Sequence, residues 1–218
     1  MQMLTLPIGV YQANCHIVWD SPQLSTLNAQ RSTQTAVVID PGGQPKDILS
    51  ALRERDLTVS HILLTHAHFD HILAAPTLQK ETGAPVYVHR QDAEDVLHLN
   101  PVYALLGGYK PPKDLRTFED GESIKAGGLT FTVRHMPGHS PGSCCLVCGH
   151  SIFSGDVLFR DNVGRVDLPG GNADDMRRTL AGIAGWTGAY QVYPGHGPST
   201  TLAREQAENP YLQPPFNL

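Results

Sequence analysis

No stretch of this chain approaches the ~20 consecutive apolar residues that a membrane-spanning helix requires, so no integral membrane protein is expected. Its start, Met1 to Pro7, has neither a cationic region nor a long apolar core, and does not read as a secretory signal. Basic excess is missing as well. The formal charge is -5 and the pI near 6.1, which argues against nucleic acid or an anionic membrane as partner. Together these absences predict a soluble protein of the cytoplasm. Nothing resembles an interdomain linker, and 218 residues suffice for one substantial core. The expectation is a single domain over residues 1–218, acting as a monomer or small homo-oligomer.

Cysteine is scarce, and three of the four crowd into Cys144-Cys145-Leu146-Val147-Cys148. Cys145 and Cys148 have the spacing of a CxxC pair, which elsewhere signals redox chemistry or zinc. The segment is apolar and reads as a strand, where residues three apart point to opposite faces and cannot easily share a metal or a disulfide. Buried, inert thiols are expected here and at Cys15. A Ser-His-Asp arrangement is also lacking, because Ser140, Ser143 and Ser154 have no spare base beside them.

What the chain does have is Thr65-His66-Ala67-His68-Phe69-Asp70-His71, straight after the apolar run Ile62-Leu63-Leu64. Neutral imidazole and carboxylate are the ligands that borderline divalent ions such as zinc prefer. A polar loop that merely collects histidines would have to gather four such groups by chance. The motif points to a metalloenzyme.

Apolar patterning places this motif at the end of a strand. Short apolar runs predict strands at Leu4–Leu6, Cys15–Trp19 and Ala36–Ile39, the last closed by the turn Asp40-Pro41-Gly42-Gly43. Ser21 to Thr35 reads as an exposed hairpin loop. Further strands are expected at His61–Leu64, Pro85–His89, Leu129–Met136, Ser143–Val147, Ser151–Ser154 and Tyr190–Tyr193. Helices are expected over Pro45–Arg55, Leu73–Thr82 (with Pro76 in the first turn and Gly83 as the stop), Arg90–Leu99, Ala173–Ile183 and Thr200–Glu208. Asn100 to Asp120 lacks periodicity and reads as a loop over the site, and Asn209 to Leu218 as an extended surface tail. Strands alternating with helices in two similar halves predict an α/β protein, an αββα sandwich.

Three more ligand-grade residues stand just past strand ends. They are His139 in Pro137-Gly138-His139, Asp156 in Ser154-Gly155-Asp156, and His196 in Pro194-Gly195-His196-Gly197. Clefts along strand C-terminal ends are where α/β proteins commonly keep their sites. With the first motif these make five histidines and two aspartates, enough for two metal ions. The remaining histidines (16, 61, 89, 98, 135 and 150) have no partner at ligand spacing, and His135 reads as a strand-end surface residue. Trp19 and Trp186 read as packing residues.

In this order and spacing, the four motifs resemble those of the metallo-β-lactamase superfamily. Gly155-Asp156-Val157-Leu158-Phe159, Gly164 to Gly171, Gly197 to Leu202 and Glu208 to Leu212 are similar, more narrowly, to the glyoxalase II (hydroxyacylglutathione hydrolase) branch. The likeness runs from about Cys15 to Leu212, in a short form without the appended helical domain of larger members. It implies that His66, His68 and His139 hold one metal, that Asp70, His71 and His196 hold the other, and that Asp156 and a water or hydroxide bridge them. Two divalent ions are implied, most readily Zn2+, with iron or manganese accepted by the same ligands. The implied reaction is hydrolysis of a small-molecule thioester of the S-D-lactoylglutathione type, with Asp70 orienting the nucleophile and accepting its proton. Arg165 aligns with a basic residue that contacts glutathione in larger members, and could bind a carboxylate through two parallel hydrogen bonds. The tyrosines of those members are replaced by Asp167 and Pro198. Tyr103, Tyr109 and Lys110 are alternative contacts. The rival reactions within the resemblance are a mononuclear iron persulfide dioxygenase, and a lactonase or esterase. A non-enzymatic metal-binding module fits less well, because all seven ligands are present.

Overall fold

The computed structural model describes residues 1–20, 34–99 and 109–218. Two mixed six-stranded sheets stack face to face, with helices on their outer sides, as the alternating pattern predicts. The first sheet takes its strands in chain order: β1 (Gln2–Ile8), β2 (Ala13–Trp19), β3 (Gln34–Ile39), β4 (Leu57–Leu63), β5 (Val86–His89) and β6 (Leu115–Phe118). The first two pairings are antiparallel, and those from β3 through β6 are parallel. The second sheet contains β7 (Ser123–Ala126), β8 (Leu129–His135), β9 (Cys144–Cys148), β10 (Ser151–Gly155), β13 (Gln191–Pro194) and β14 (Thr200–Thr201). Its order is β14-β13-β10-β9-β8-β7, with β10 and β13 parallel and the other pairs antiparallel. A small hairpin, β11 (Leu158–Phe159) and β12 (Asn162–Val163), follows β10.

Period-two alternation sorts side chains into three apolar layers. Val37 and Ile39 of β3 meet Phe131, Leu146 and Phe153 between the sheets. Ala36 and Val38 turn outward against Ile48 and Leu52 of α1 (Pro45–Arg53) and Leu78 of α3 (Ala75–Thr82). On the far side, Ile152 and Val192 pack on Met176, Leu180 and Ile183 of α5 (Ala173–Ala184). Because helices cover both sheets, β2 and β10 are buried along their whole length. The same alternation separates Cys145, in the layer under α5, from Cys148 between the sheets. All four thiols are free and buried, and burial pushes the Cys145 thiol up to about 12.

Several elements depart from the sequence expectations. The helix expected over Leu73–Thr82 is two: α2 (Phe69–Ile72) inside the metal motif, then α3, with Pro76 in its first turn and Gly83 closing it at φ 75°. Arg90–Leu99 is a 3-10 turn (Arg90–Asp92) followed by α4 (Ala93–Leu97). Of the expected 100–120 loop, residues 100–108 lie outside the described residues, while Leu115–Phe118 forms β6, an edge strand paired with β5. β6 buries only Phe118 fully, and β7 is four residues long, so neither carries enough alternation to stand out. Thr200 and Thr201 pair with β13, and only then does α6 (Leu202–Glu208) begin, capped by the Thr201 side chain. Its C-terminal neighbours are not an extended surface tail. Asn209 is fully buried, donates to the carbonyls of Phe159 (3.5 Å) and Asn162 (3.1 Å), and leads into a 3-10 turn whose Leu212 is buried under α5. The hairpin loop expected over 21–35 falls largely on residues 21–33, outside the described residues, with Gln34 and Thr35 already in β3.

Candidate metal centre

β3, β4 and β5 run in one direction, as do β8, β10 and β13, so their C-terminal ends open together on one edge of the sandwich. Every candidate ligand leaves such an end. His66 to His71 follow β4 and include the single turn of α2, His139 follows β8, Asp156 follows β10 and His196 follows β13. Gly138, at φ 140°, makes its turn against Met176, whose Cα would lie 2.6 Å from any Cβ there. The second Pro-Gly-His uses glycine for space rather than for conformation. A Cβ on Gly195 would run into Asp156 Oδ1 and sit 2.7 Å from His71 Cε1.

The structure brings all seven predicted ligands together in two half-sites. The donor atoms of His66, His68 and His139 lie within 4.8 Å of one another, as do those of Asp70, His71 and His196. Asp156 stands between them. Its Oδ1 is 3.4 Å from His71 Nε2, and its Oδ2 is 3.5 Å from His139 Nε2 and 3.6 Å from His196 Nε2. His68 Nδ1 and His139 Nε2 approach to 2.8 Å, and His71 Nε2 and His196 Nε2 to 3.3 Å. Asp70 Oδ2 is 3.3 Å from His196 Nε2.

The far ring nitrogens show why these rings turn Nε2 inward. A carbonyl oxygen can only accept, so His139 Nδ1 donates to Arg165 O (2.8 Å) and His196 Nδ1 to Tyr11 O (3.1 Å). Thr65 Oγ1 gives its proton to Asp40 Oδ2 (2.6 Å) and therefore accepts from His66 Nδ1 (3.1 Å). His71 Nδ1 lies 3.1 Å from Asp40 Oδ2. Each of these four rings thus has Nε2 directed into the centre, the orientation that oxygen partners impose on metal-binding imidazoles. Two atoms are buried there without any hydrogen-bond partner, His66 Nε2 and Asp156 Oδ1. Orphaned buried polar atoms are costly, and a divalent cation bound by these nitrogens and carboxylates would satisfy both. The donor set fits two ions.

Electrostatics agree with that fit. Burial holds His66 well below the ordinary imidazole range, and brings His68 to about 4 and His139 to about 3, so these rings stay neutral. Burial would also lower His71, but Asp156, Asp40 and Asp70 around it push it up to about 10. For Asp70 burial acts upward, yet the hydrogen bond with His196 and the charge of His71 hold it down to about 2. Burial raises Asp156, against the pull of His71 and His196.

Sequence reasoning missed Asp40. It reads as a turn residue in Asp40-Pro41-Gly42-Gly43, and its positive φ of 50° suits that role. In the fold it is buried and accepts from Thr65 N (2.8 Å) as well as Thr65 Oγ1 and His71. Asp40, His66 and His71 also form a possible metal-holding group, but the oxygens of Asp40 are committed to these contacts, so it supports ligands rather than acting as one. Arg165 is placed differently from the ligands. Its carbonyl holds His139, while its exposed guanidinium is paired with Asp167 (2.6 and 2.7 Å). His135 is not a free surface residue. Its ring stacks on His89 at 4.0 Å, and its Nε2 lies 2.8 Å from Pro141 O. Tyr109 donates to Val96 O (2.8 Å) and packs on the first core, while Tyr103 lies outside the described residues. No helix among the described residues is long and apolar enough to cross a membrane.

Comparison with known proteins agrees with this geometry. Residues 11–196 match the model of the Metallo-beta-lactamase superfamily. The chain is 30% identical to the hydroxyacylglutathione hydrolase GloC of Haemophilus influenzae, over 97% of this chain and 98% of that protein. Among solved structures it is similar to the B3 metallo-beta-lactamase BLEG-1, with 34% identity and a TM-score of 0.81 over 97% of this chain and 99% of that one. It is also similar to TTHA1623 in a di-iron-bound form, with 36% identity and a TM-score of 0.79 over 95% and 99% of the two chains.

Proposed function

This chain belongs to the metallo-beta-lactamase superfamily, and on that premise we propose that it is a dinuclear metallohydrolase of small thioesters of the S-D-lactoylglutathione type. The observation that carries the reading is Asp156, whose two oxygens face His71 on one side and His139 and His196 on the other, between two three-residue half-sites. The likeness to GloC supports the substrate class. The set is complete through His196, which favours two ions over a single-iron dioxygenase.

Bound at His66, His68 and His139 and at Asp70, His71 and His196, the ions supply Lewis acidity that polarises a carbonyl and acidifies water. The chain's own groups do the rest. Asp70 is held ionised, so its carboxylate can accept a hydrogen bond from an attacking water and orient it. The Nδ1 hydrogen bonds of His139 and His196 fix both rings from behind. Asp156 keeps the half-sites in register. The departing group is a thiolate, stable without a proton, so no strong general acid is required of the chain.

Substrate recognition falls in this reading to Arg165. The exposed ion pair with Asp167 contributes little stability, so a substrate carboxylate can replace Asp167 at the guanidinium. Zinc is the ion proposed; the di-iron form of TTHA1623 makes iron the alternative to test.

The test is hydrolysis of S-D-lactoylglutathione by purified protein that has been stripped with chelator and then restored with Zn2+, Fe2+ or Mn2+. Restored protein is expected to release the thiol, and stripped protein to be inactive. Two bound ions without turnover would discard the substrate. Oxygen consumption with a persulfide by protein carrying one iron would discard the hydrolase. In Arg165→Ala, KM for the glutathione thioester is expected to rise with kcat unchanged.

A further inference from the structure

Asp92, in the turn after β5, is fully buried and belongs to neither half-site. Its carboxylate receives three hydrogen bonds, from Ala67 N (3.0 Å), Ser140 Oγ (2.7 Å) and Gly142 N. Ala67 is the residue between His66 and His68. Ser140 follows His139, and Gly142 belongs to the same turn. One buried carboxylate therefore ties together the two segments that carry all three ligands of one half-site. The approach is close enough to require glycine on the far side, since a Cβ at Gly142 would lie 2.6 Å from Asp92 Cγ. Ser143 braces the same turn, accepting from Ser140 N at 2.9 Å.

Packing alone does not explain an aspartate here. A buried carboxylate is costly unless hydrogen bonds compensate it, and these three donors are two backbone N–H groups and a hydroxyl of the ligand segments. An amide in its place would turn an NH2 group towards at least one of those donors, leaving two hydrogens facing each other. His71, in the other half-site, is held from behind by Asp40 instead.

We propose that Asp92 is the positioning residue of the His66–His68–His139 half-site: it holds the two ligand segments in register and so sets the affinity of that half-site for its ion separately from the Asp70–His71–His196 half-site. This rests on the two-ion reading above.

The test is stepwise metal binding, followed by the d–d absorption of Co2+ and by Zn2+ competition with a chromophoric chelator. The proteins are the wild type, Asp92→Asn, and each of these with His196→Ala to disable the other half-site. In Asp92→Asn one equivalent is expected to bind roughly 10–100-fold more weakly with an altered Co2+ spectrum, the usual consequence of losing a residue that supports metal ligands. The second equivalent should stay within about threefold of wild type, and the loss should persist in the His196→Ala background. Ser140→Ala keeps the carboxylate but removes one donor, and is expected to weaken the same step by a smaller factor. It also carries the test if Asp92→Asn does not fold. Equal weakening of both equivalents, or none in a folded variant, overturns the proposal. A wild type that takes up only one equivalent overturns the two-ion reading instead, and a loss at that single site in Asp92→Asn would still leave Asp92 as its positioning residue.

Discussion

His71 and Asp40 form a buried pair, with imidazole Nδ1 3.1 Å from carboxylate Oδ2 and side chains 0% and 2% exposed. The contact aims His71 Nε2 at Asp156, while the same carboxylate, through Thr65, fixes His66. One turn residue thus orients a ligand in each half-site.

Asp40→Asn is expected to lower metal affinity roughly 10–100-fold, because an amide oxygen placed to accept from Thr65 Oγ1 and His71 turns the NH2 group onto the Thr65 N–H that the second carboxylate oxygen accepts. Chelator competition measures this directly. Unchanged affinity would show that the surrounding packing alone orients the two rings.

Asp156→Asn should lower metal content and activity together. The carboxylate faces both half-sites, and an amide presents only one oxygen. Metal analysis alongside turnover decides the matter. Full loading with wild-type turnover would sink the bridging assignment.

Gly195→Ala is expected to fold but to take up metal poorly. The new methyl must displace Asp156 Oδ1 and the His71 ring, whereas the core layers stay intact. Circular dichroism should be preserved while metal stoichiometry falls. Normal stoichiometry would mean that the β13 turn can shift to make room.

His16 makes a prediction about acid. It is buried in β2, with Nδ1 3.0 Å from Thr5 Oγ1 and its ring 5.2 Å from that of Phe153. Burial, only partly offset by Asp40, lowers it from 6.5 to about 4. The unfolded chain therefore takes up a proton below about 6.5 that the folded chain refuses until about 4. This contribution is intact above 6.5 and is lost as pH falls from 6.5 to 4. Between pH 7 and 5 it amounts to about 2 kcal/mol. Urea unfolding of chelator-treated wild type and His16→Gln at both pH values tests it, because the variant should lose less stability by that amount. Equal losses would show that His16 is protonated in the fold.

Proton release provides another check. His71 is raised to about 10 by its three carboxylates, so it is protonated in the metal-free protein at neutral pH and must shed that proton to bind metal. Adding Zn2+ to stripped protein at pH 7.5 should release about one proton from this ring, and less as the pH is raised through 10. In the metal-free protein the sign is opposite. The stability contributed by protonated His71 is present below about 6.5 and fades as pH rises through about 10. Absence of proton release would mean that His71 is already neutral.

The candidate ligands were legible in the sequence because their chemistry is local. A strand end followed by His66 to His71, and Gly-rich turns holding His139, Asp156 and His196, carry residue type and backbone geometry within a few positions. The layered architecture was legible for the same reason, since β3, β9 and β10 are buried on both faces and leave short, nearly continuous runs of buried residues in the chain. β6 and β7 were not, being short edge strands that owe their conformation to their neighbours. Nor was the docking of Asn209 to Leu212, which depends on carbonyls of the β11–β12 hairpin some fifty residues earlier. In the chain Asp40 looks like an ordinary turn residue, and Asp92 falls in a short expected helix with nothing to set it apart. What they support lies 25 to 50 positions away, and a hydrogen bond of that span exists only once the sheets have brought the loops to one edge. The sequence by itself determined which residues are candidates to bind metal. Tertiary structure alone decided which carboxylates hold those atoms in place, because a buried carboxylate is defined by the donors that surround it and not by its neighbours along the chain.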